Sequence, residues 1–281
     1  MSFSPAVRRR ELATALRGLR ERAGLDSTKV SRKMEWDPSK ISRIEGGRFK
    51  RINPRDVLDL LTVYGVTDER ERQALAQLAR ESRARGWWNE YGDVFRSELP
   101  DLEAGATGIR SFEALCLPGL LQTPDYAEAM FRGLGIGDHD QLARRVAARM
   151  ARQEILNREC PPQLQVMIDE AAFCKLVGGR DVMREQIHQL IHVASWPNVE
   201  VRMVPNSIGA HPAMCGSFTI LEFESHSAIV FSETPIGPVL SEKPDEVDQY
   251  ASVYQRLAEV ALSPEETLTV MADMVGAMRE G

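Results

Sequence analysis

Residues 8–84 carry five short apolar stripes at helical spacing, each closed within a few residues by a cap or a glycine. Leu12, Leu16, Leu19 and Ala23 predict a first helix over 8–23, ended by Gly24. Asp26 is a good N-cap for a second helix over 27–34, whose inward residues are Val30 and Met34. Glu35-Trp36-Asp37 is then the turn. Pro38 sits at a first helical position, where its missing N–H costs nothing, and opens a third helix to about Glu45 that Gly46-Gly47 stops. Val57, Leu60, Leu61 and Tyr64 mark a fourth helix, and Leu75, Leu78 and Ala79 a fifth over about 68–84. Turns of a few residues join them, so the pattern predicts a compact all-α domain.

The whole chain has 281 residues, which leaves room for a second, larger domain. The boundaries expected from pattern are 1–84 for the helical domain, 85–100 for a junction and 101–281 for a C-terminal domain. The junction holds Trp87, Trp88, Tyr91 and Phe95 beside Glu90, Asp93 and Glu98. Aromatics in such a place can stack on bases, but among carboxylates they read as packing at a junction. Beyond it the periods mix. Helical spacing runs at about 124–133, 139–157, 181–195 and 244–261, with another helix after Pro264. Strand-like runs are Gln163–Asp169, Val199–Val204, Phe218–Phe223 and Ala228–Ser232, the last two joined through residues 224–227 as a hairpin. The fold class expected is an all-α five-helix domain followed by a mixed α/β (α+β) domain.

Charge is partitioned along the chain. Residues 1–55 hold 15 Lys+Arg against 6 Asp+Glu, and the rest hold 20 against 35, within a net charge of −6. Spread evenly, that net charge would repel a polyanion; concentrated in a small N-terminal unit, the basic residues form either a phosphate-binding surface or a solvated helix face. No uncharged apolar run approaches the roughly 18 residues of a membrane span, and residues 1–10 lack an apolar signal core. Cys116, Cys160, Cys174 and Cys215 form no C-x-x-C pair, so neither a zinc ribbon nor a disulfide framework is indicated. The expected compartment is a reducing cytoplasm, with no membrane partner.

Two helices joined by a tight turn, the second short and capped, describe a helix-turn-helix. The major groove admits one helix while the preceding one braces it across the backbone. Ile41 and Ile44 would anchor the second helix in the core, turning Ser39, Lys40 and Arg43 outward behind Asp37 and Pro38. A hydroxyl, an ammonium and a guanidinium are suitable donors to guanine N7/O6 or to phosphate. Arg48, Lys50 and Arg51 follow as a basic loop suited to the DNA backbone.

The stretch Leu25 to Arg48 (LDSTKVSRKMEWDPSKISRIEGGR) resembles the Cro/repressor-like (XRE) helix-turn-helix family, most specifically over Trp36–Glu45. That resemblance implies an ion pair between a first-helix arginine and the glutamate closing the recognition helix, here Arg20 and Glu45, which makes Glu45 structural. Two positions depart from the pattern: Ser27 stands where the family usually has a phosphate-contacting glutamine, and Glu35 where it usually has the glycine of the turn. Further on, Glu103, Ile109–Glu113, Pro118–Ala127 (PGLLQTPDYA), Arg152-Gln153, Asp169–Ala171, Val177–Gly179 and Gly216–Phe218 resemble the actinobacterial regulators that include WhiJ-like developmental proteins and antitoxin-like relatives. The resemblance implies DNA-binding transcriptional control, often beside a small partner protein.

Other candidate chemistry is thinner. His188 and His192 lie four apart, yet a zincin would need glutamate where Gln189 stands, and both fall on the polar face with Asp181 and Glu185. No G-x-S-x-G, P-loop or G-x-G-x-x-G occurs, and Gly178-Gly179 reads as a turn. Cys174 reads as an inert buried thiol. No catalytic residue, metal or cofactor is expected, and the chain is not expected to be an enzyme. Arg110, Glu113, Gln122, Tyr126, Arg152, Gln153 and His211 could line a small-molecule pocket, face a partner, or form a buried hydrogen-bond network; the three readings stand open. The partner expected is double-stranded DNA. The protein should bind as a homodimer, because one such helix reads only a few base pairs. Its second domain would answer to a small partner protein or a small-molecule effector. The alternatives are an antitoxin-like module that sequesters a small partner through residues 100–281, and a ligand-modifying enzyme built on the second domain.

Overall fold

In the computed structural model the described residues are 4–279, apart from 50, 96, 225 and 235. Their first five helices are α1 (Pro5–Arg22), α2 (Ser27–Met34), α3 (Pro38–Glu45), α4 (Pro54–Val63) and α5 (Glu69–Glu81). Each start has a local cause. Ser4, Asp26, Asp37, Asn53 and Asp68 are N-caps whose side chains accept a backbone N–H of the first turn, and proline occupies the first turn of α1, α3 and α4. Leu12, Leu16, Val30, Ile41, Val57, Leu60 and Leu61 meet as one core with almost no solvent exposure. At roughly 1.5–3 kcal/mol for each large side chain buried, that core dominates the stability of helices this short.

One compact unit ends at Glu90 and a second begins at Tyr91. The boundary falls inside the aromatic segment, in a short 3-10 helix Trp87–Tyr91, and its four aromatics are only half-buried.

The second unit is built on a six-stranded mixed sheet of order β3-β2-β1-β4-β5-β6. Its strands are β1 (Gly108–Glu113), β2 (Gln163–Asp169), β3 (Val199–Val204), β4 (Phe218–Glu222), β5 (Ile229–Thr234) and β6 (Gly237–Ser241). β1, β2 and β3 run parallel, whereas β4, β5 and β6 add as antiparallel neighbours. The helices are α6 (Leu99–Gly105), α7 (Pro124–Gly133), α8 (His139–Gln153), α9 (Glu170–Phe173), α10 (Arg180–Val193), α11 (Pro244–Val260) and α12 (Pro264–Arg279). Parallel strands need crossovers, and α7–α8 and α9–α10 supply them. Phe112, Ile220, Val230, Tyr254 and Leu257 form the core on the α11 face of the sheet. Among the described residues, no helix is long and apolar enough to cross a membrane.

Four elements were missing from the sequence pattern: α6, β1, α9 and β6. β1 is a central strand buried at Ile109, Ser111 and Phe112, but its sequence GIRSFE puts a guanidinium, a hydroxyl and a carboxyl where a buried strand should be apolar. β6 opens with Gly-Pro, which reads as a turn; a proline is tolerated there because β6 is the edge of the sheet. Cys174 is also corrected. It caps the one-turn α9, and that position leaves its thiol exposed rather than buried.

Candidate nucleic-acid interface

The turn between α2 and α3 closes tightly. Asp26 accepts the Lys29 N–H at 2.7 Å to start α2, and Glu35 adopts the left-handed conformation (φ 55°) that reverses the chain after Met34. Trp36 N–H then bonds the Ser31 carbonyl at 2.9 Å. Asp37 accepts the Ser39 N–H at 2.9 Å and the Ser39 hydroxyl, and this hydroxyl bond, with the N–H behind it, holds its carboxyl below the usual range. Its negative charge is therefore spent on the positive end of α3.

Behind the helix, Ile41 and Ile44 are buried as anchors. Glu45 is buried too, with its carboxylate meeting Arg20 Nε at 2.8 and 2.9 Å and the Tyr64 hydroxyl at 3.3 Å. Arg17 donates to the Glu45 carbonyl, and Arg20 also donates to the Leu25 carbonyl. The bond to Glu45 raises the Arg20 pKa; burial, and then the charge of Glu45, raises that of Tyr64. One carboxylate thus ties α1, α3 and the end of α4 together. Tyr64 reads in sequence only as an apolar stripe position; its hydroxyl gives no periodic signal.

Ser39 and Arg43 are exposed on the outer side of α3, and Arg48, Arg51 and Ser27 are exposed around it. Lys50 lies outside the described residues. Lys40 is half-buried: its ammonium pairs with Asp56 of α4 at 2.9 Å and sits 3.4 Å from the centre of the Trp36 ring. Asp56 lies one residue beyond the basic N-terminal stretch, and nothing in the sequence pattern connects it to Lys40.

In the second unit the seven polar candidates do not share one site. Arg110 and Phe112 point to the α11 face, where Arg110 meets Glu222 at 2.6 Å and His211 packs edge-on against Phe112 while reaching Asp169 at 3.3 Å. Glu113 points to the opposite face by strand alternation. Four others gather around the 3-10 turn Gly119–Leu121. Gln122 donates to the Leu117 carbonyl, Tyr126 accepts the Leu117 N–H, Gln153 donates to the Gly119 and Gln122 carbonyls, and Arg152 grips Glu103 with two bonds of 2.6 Å. A Cβ at Gly119 would stand 3.4 Å from the Arg152 guanidinium, so the turn and this arginine pack closely. Buried Gln186 of α10 holds the same turn through Leu121 and Thr123. The PGLLQTPDYA run is thus the floor of a hydrogen-bonded cluster. Burial pushes the Glu113 carboxyl up to about 7, against the opposing pull of Arg152 and Ser217. Among the described residues, no three His, Cys, Asp or Glu side chains come together as a metal site would need.

A capped two-helix unit with an exposed basic second helix defines the class: a helix-turn-helix domain of the DNA-binding kind, followed by a mixed α/β domain. The family described as "Helix-turn-helix domain" matches residues 11–75. The family described as "Domain of unknown function (DUF5753)" matches residues 96–273, and the chain belongs to it. No curated protein and no solved structure matches the chain.

Proposed function

We propose that the chain is a sequence-specific transcriptional regulator that binds double-stranded DNA as a homodimer. In this reading α3 enters the major groove, Ser39, Lys40 and Arg43 face base edges, and Ser27, Arg48, Lys50 and Arg51 hold phosphates. Arg20 and Glu45 keep α3 at a fixed angle to α1. The observation that carries the reading is the placement of Glu45: the one carboxylate that closes α3 is turned inward and neutralised, while Arg43 on the same helix is left in solvent. The Lys40–Asp56 pair does not stand against a DNA role, since both side chains reach solvent, such a surface pair contributes only about 1 kcal/mol, and a phosphate or guanine can replace the carboxylate. The second unit is the part that answers to an effector or a small partner protein, and the resemblance of its PGLLQTPDYA run to WhiJ-like regulators supports that division.

Selection of bound sequences from random DNA by the purified chain tests the reading, and a two-fold symmetric site is the expected result. On that site Arg43→Ala should cost roughly 1–3 kcal/mol and relax preference at one base position. Lys50→Ala should weaken all sequences alike and lower the salt slope by about one. Equal losses from both variants on selected and random DNA would overturn the assignment.

A further inference from the structure

A cavity of about 260 Å³ opens beside the polar cluster, between Val94, Phe95 and the start of α6, helices α7 and α8, and Glu233 and Pro238 of β5 and β6. Its walls are apolar where Phe95, Leu99, Phe131, Leu134 and Pro238 line it, and cationic where Arg145, Arg149 and Arg152 enter from successive turns of α8. The charges do not balance. Arg152 is fully engaged by Glu103 through its two 2.6 Å bonds. Arg149 has only the neutral amide oxygen of Gln122, at 2.5 Å, and lies over the Phe131 ring with its central carbon 4.6 Å from the ring centre. Among the described residues no carboxylate comes within ion-pair distance of Arg149 or Arg145, and the one carboxylate in the lining, Glu233, is exposed. Desolvation, with Arg152 as a like-charged neighbour, pushes Arg149 down to about 10. A guanidinium in that condition gains more from an anion than a solvated one does.

We propose that this cavity binds a small monoanionic organic acid, its carboxylate on Arg149 with Arg145 beside it and its apolar body against Phe131, Leu134 and Phe95. The volume fits a single ring or a short acyl chain and excludes nucleotides and larger cofactors. Gln122 supplies the orientation: by accepting one Arg149 N–H it fixes the guanidinium plane against Phe131 and leaves the remaining donors for the ligand. The assignment deepens the effector role proposed above by naming the chemistry of the effector.

The test is calorimetric titration of the full chain, without DNA, with phenylacetate and hexanoate, using phenylacetamide as the uncharged isostere. Both acids should bind and raise the melting temperature, and the amide should bind about tenfold more weakly or worse. R149Q should lose about tenfold or more in acid affinity while keeping its circular dichroism. R145Q, which removes no hydrogen bond or ion pair among the described residues, should weaken binding by less, and L134W, at the rim, should block it. No binding of either acid at millimolar concentration, equal binding of the amide, or acid affinity unchanged in both R145Q and L134W would each overturn the proposal. Operator binding measured separately with and without phenylacetate keeps the two readings apart: an unchanged operator affinity removes the effector role and leaves the site standing.

Discussion

Glu35 is, among the described residues, the non-glycine one with positive φ, at 55°. An L side chain in the left-handed region costs about 1–2 kcal/mol, because Cβ crowds the following carbonyl oxygen. The chain accepts that cost at the turn that sets the angle between α2 and α3, where the resembling family usually has glycine. Glu35→Gly should therefore stabilise the N-terminal unit by about 0.5–1 kcal/mol, part of the relief being offset by glycine's greater freedom when unfolded. Chemical denaturation of the variant checks this. Glu35→Ala is the control, since it removes the same charge and keeps the strained Cβ; equal stabilisation by both variants would show that charge, not backbone geometry, is responsible. Glu45 shows the other residue-scale device. Its burial is tolerable because Arg20 and Tyr64 satisfy it, and a substitution that removed only one partner would leave a charge stranded in the core.

At the scale of elements, α3 presents Arg43 freely but offers Lys40 already engaged with Asp56 and Trp36. Asp56 stands in the first turn of α4, where a negative charge also favours the helix dipole. Asp56→Asn should free Lys40 and remove a charge that faces the same polyanion. DNA affinity is expected to rise about two- to fivefold at low salt and less at high salt, with a few tenths of a kcal/mol lost in stability. Fluorescence anisotropy on the selected site measures it. In a Lys40→Ala background the gain should shrink, and a gain of the same size there would show that Lys40 takes no part. The elements themselves were legible where caps and periods coincide: Asp26 before α2, and Asp37 with Pro38 at the start of α3, fix both from sequence alone. Legibility failed wherever a residue's role depends on a distant partner. The sequence of β1 conceals a buried strand because Arg110 pairs with Glu222 and Glu113 lies near Arg152, partners about forty or more than a hundred residues away. For the same reason Arg149, which makes the cavity cationic, reads locally as one more base on the polar side of an Arg-rich helix.

On the scale of the whole chain, two units with separate cores carry opposite loads: basic residues lie at the surface of the first, whereas in the second several are drawn inward near the half-buried Glu113. That inward arrangement has a consequence for stability. Burial holds the Glu113 carboxyl near 7 in the folded protein, above the roughly 4.3 of an unfolded glutamate. A raised carboxyl pKa means that the native state binds the proton that the unfolded chain releases. Stability from this group is therefore fully present below about pH 4 and is lost as pH rises from there toward 7, after which the loss is constant. Glu113→Gln keeps a neutral side chain at every pH. Relative to the parent it should be about 1–3 kcal/mol more stable at pH 8 and nearly equal at pH 4.5. Urea unfolding of the second unit at the two pH values measures the difference, and parallel losses of stability in parent and variant between them would mean that Glu113 is already ionised in the fold. The same variant bears on the cavity. Below about pH 7 Glu113 is mostly neutral and puts less negative charge near Arg149, so acid binding should survive Glu113→Gln at pH 7 and, for the parent alone, weaken as pH rises through 7.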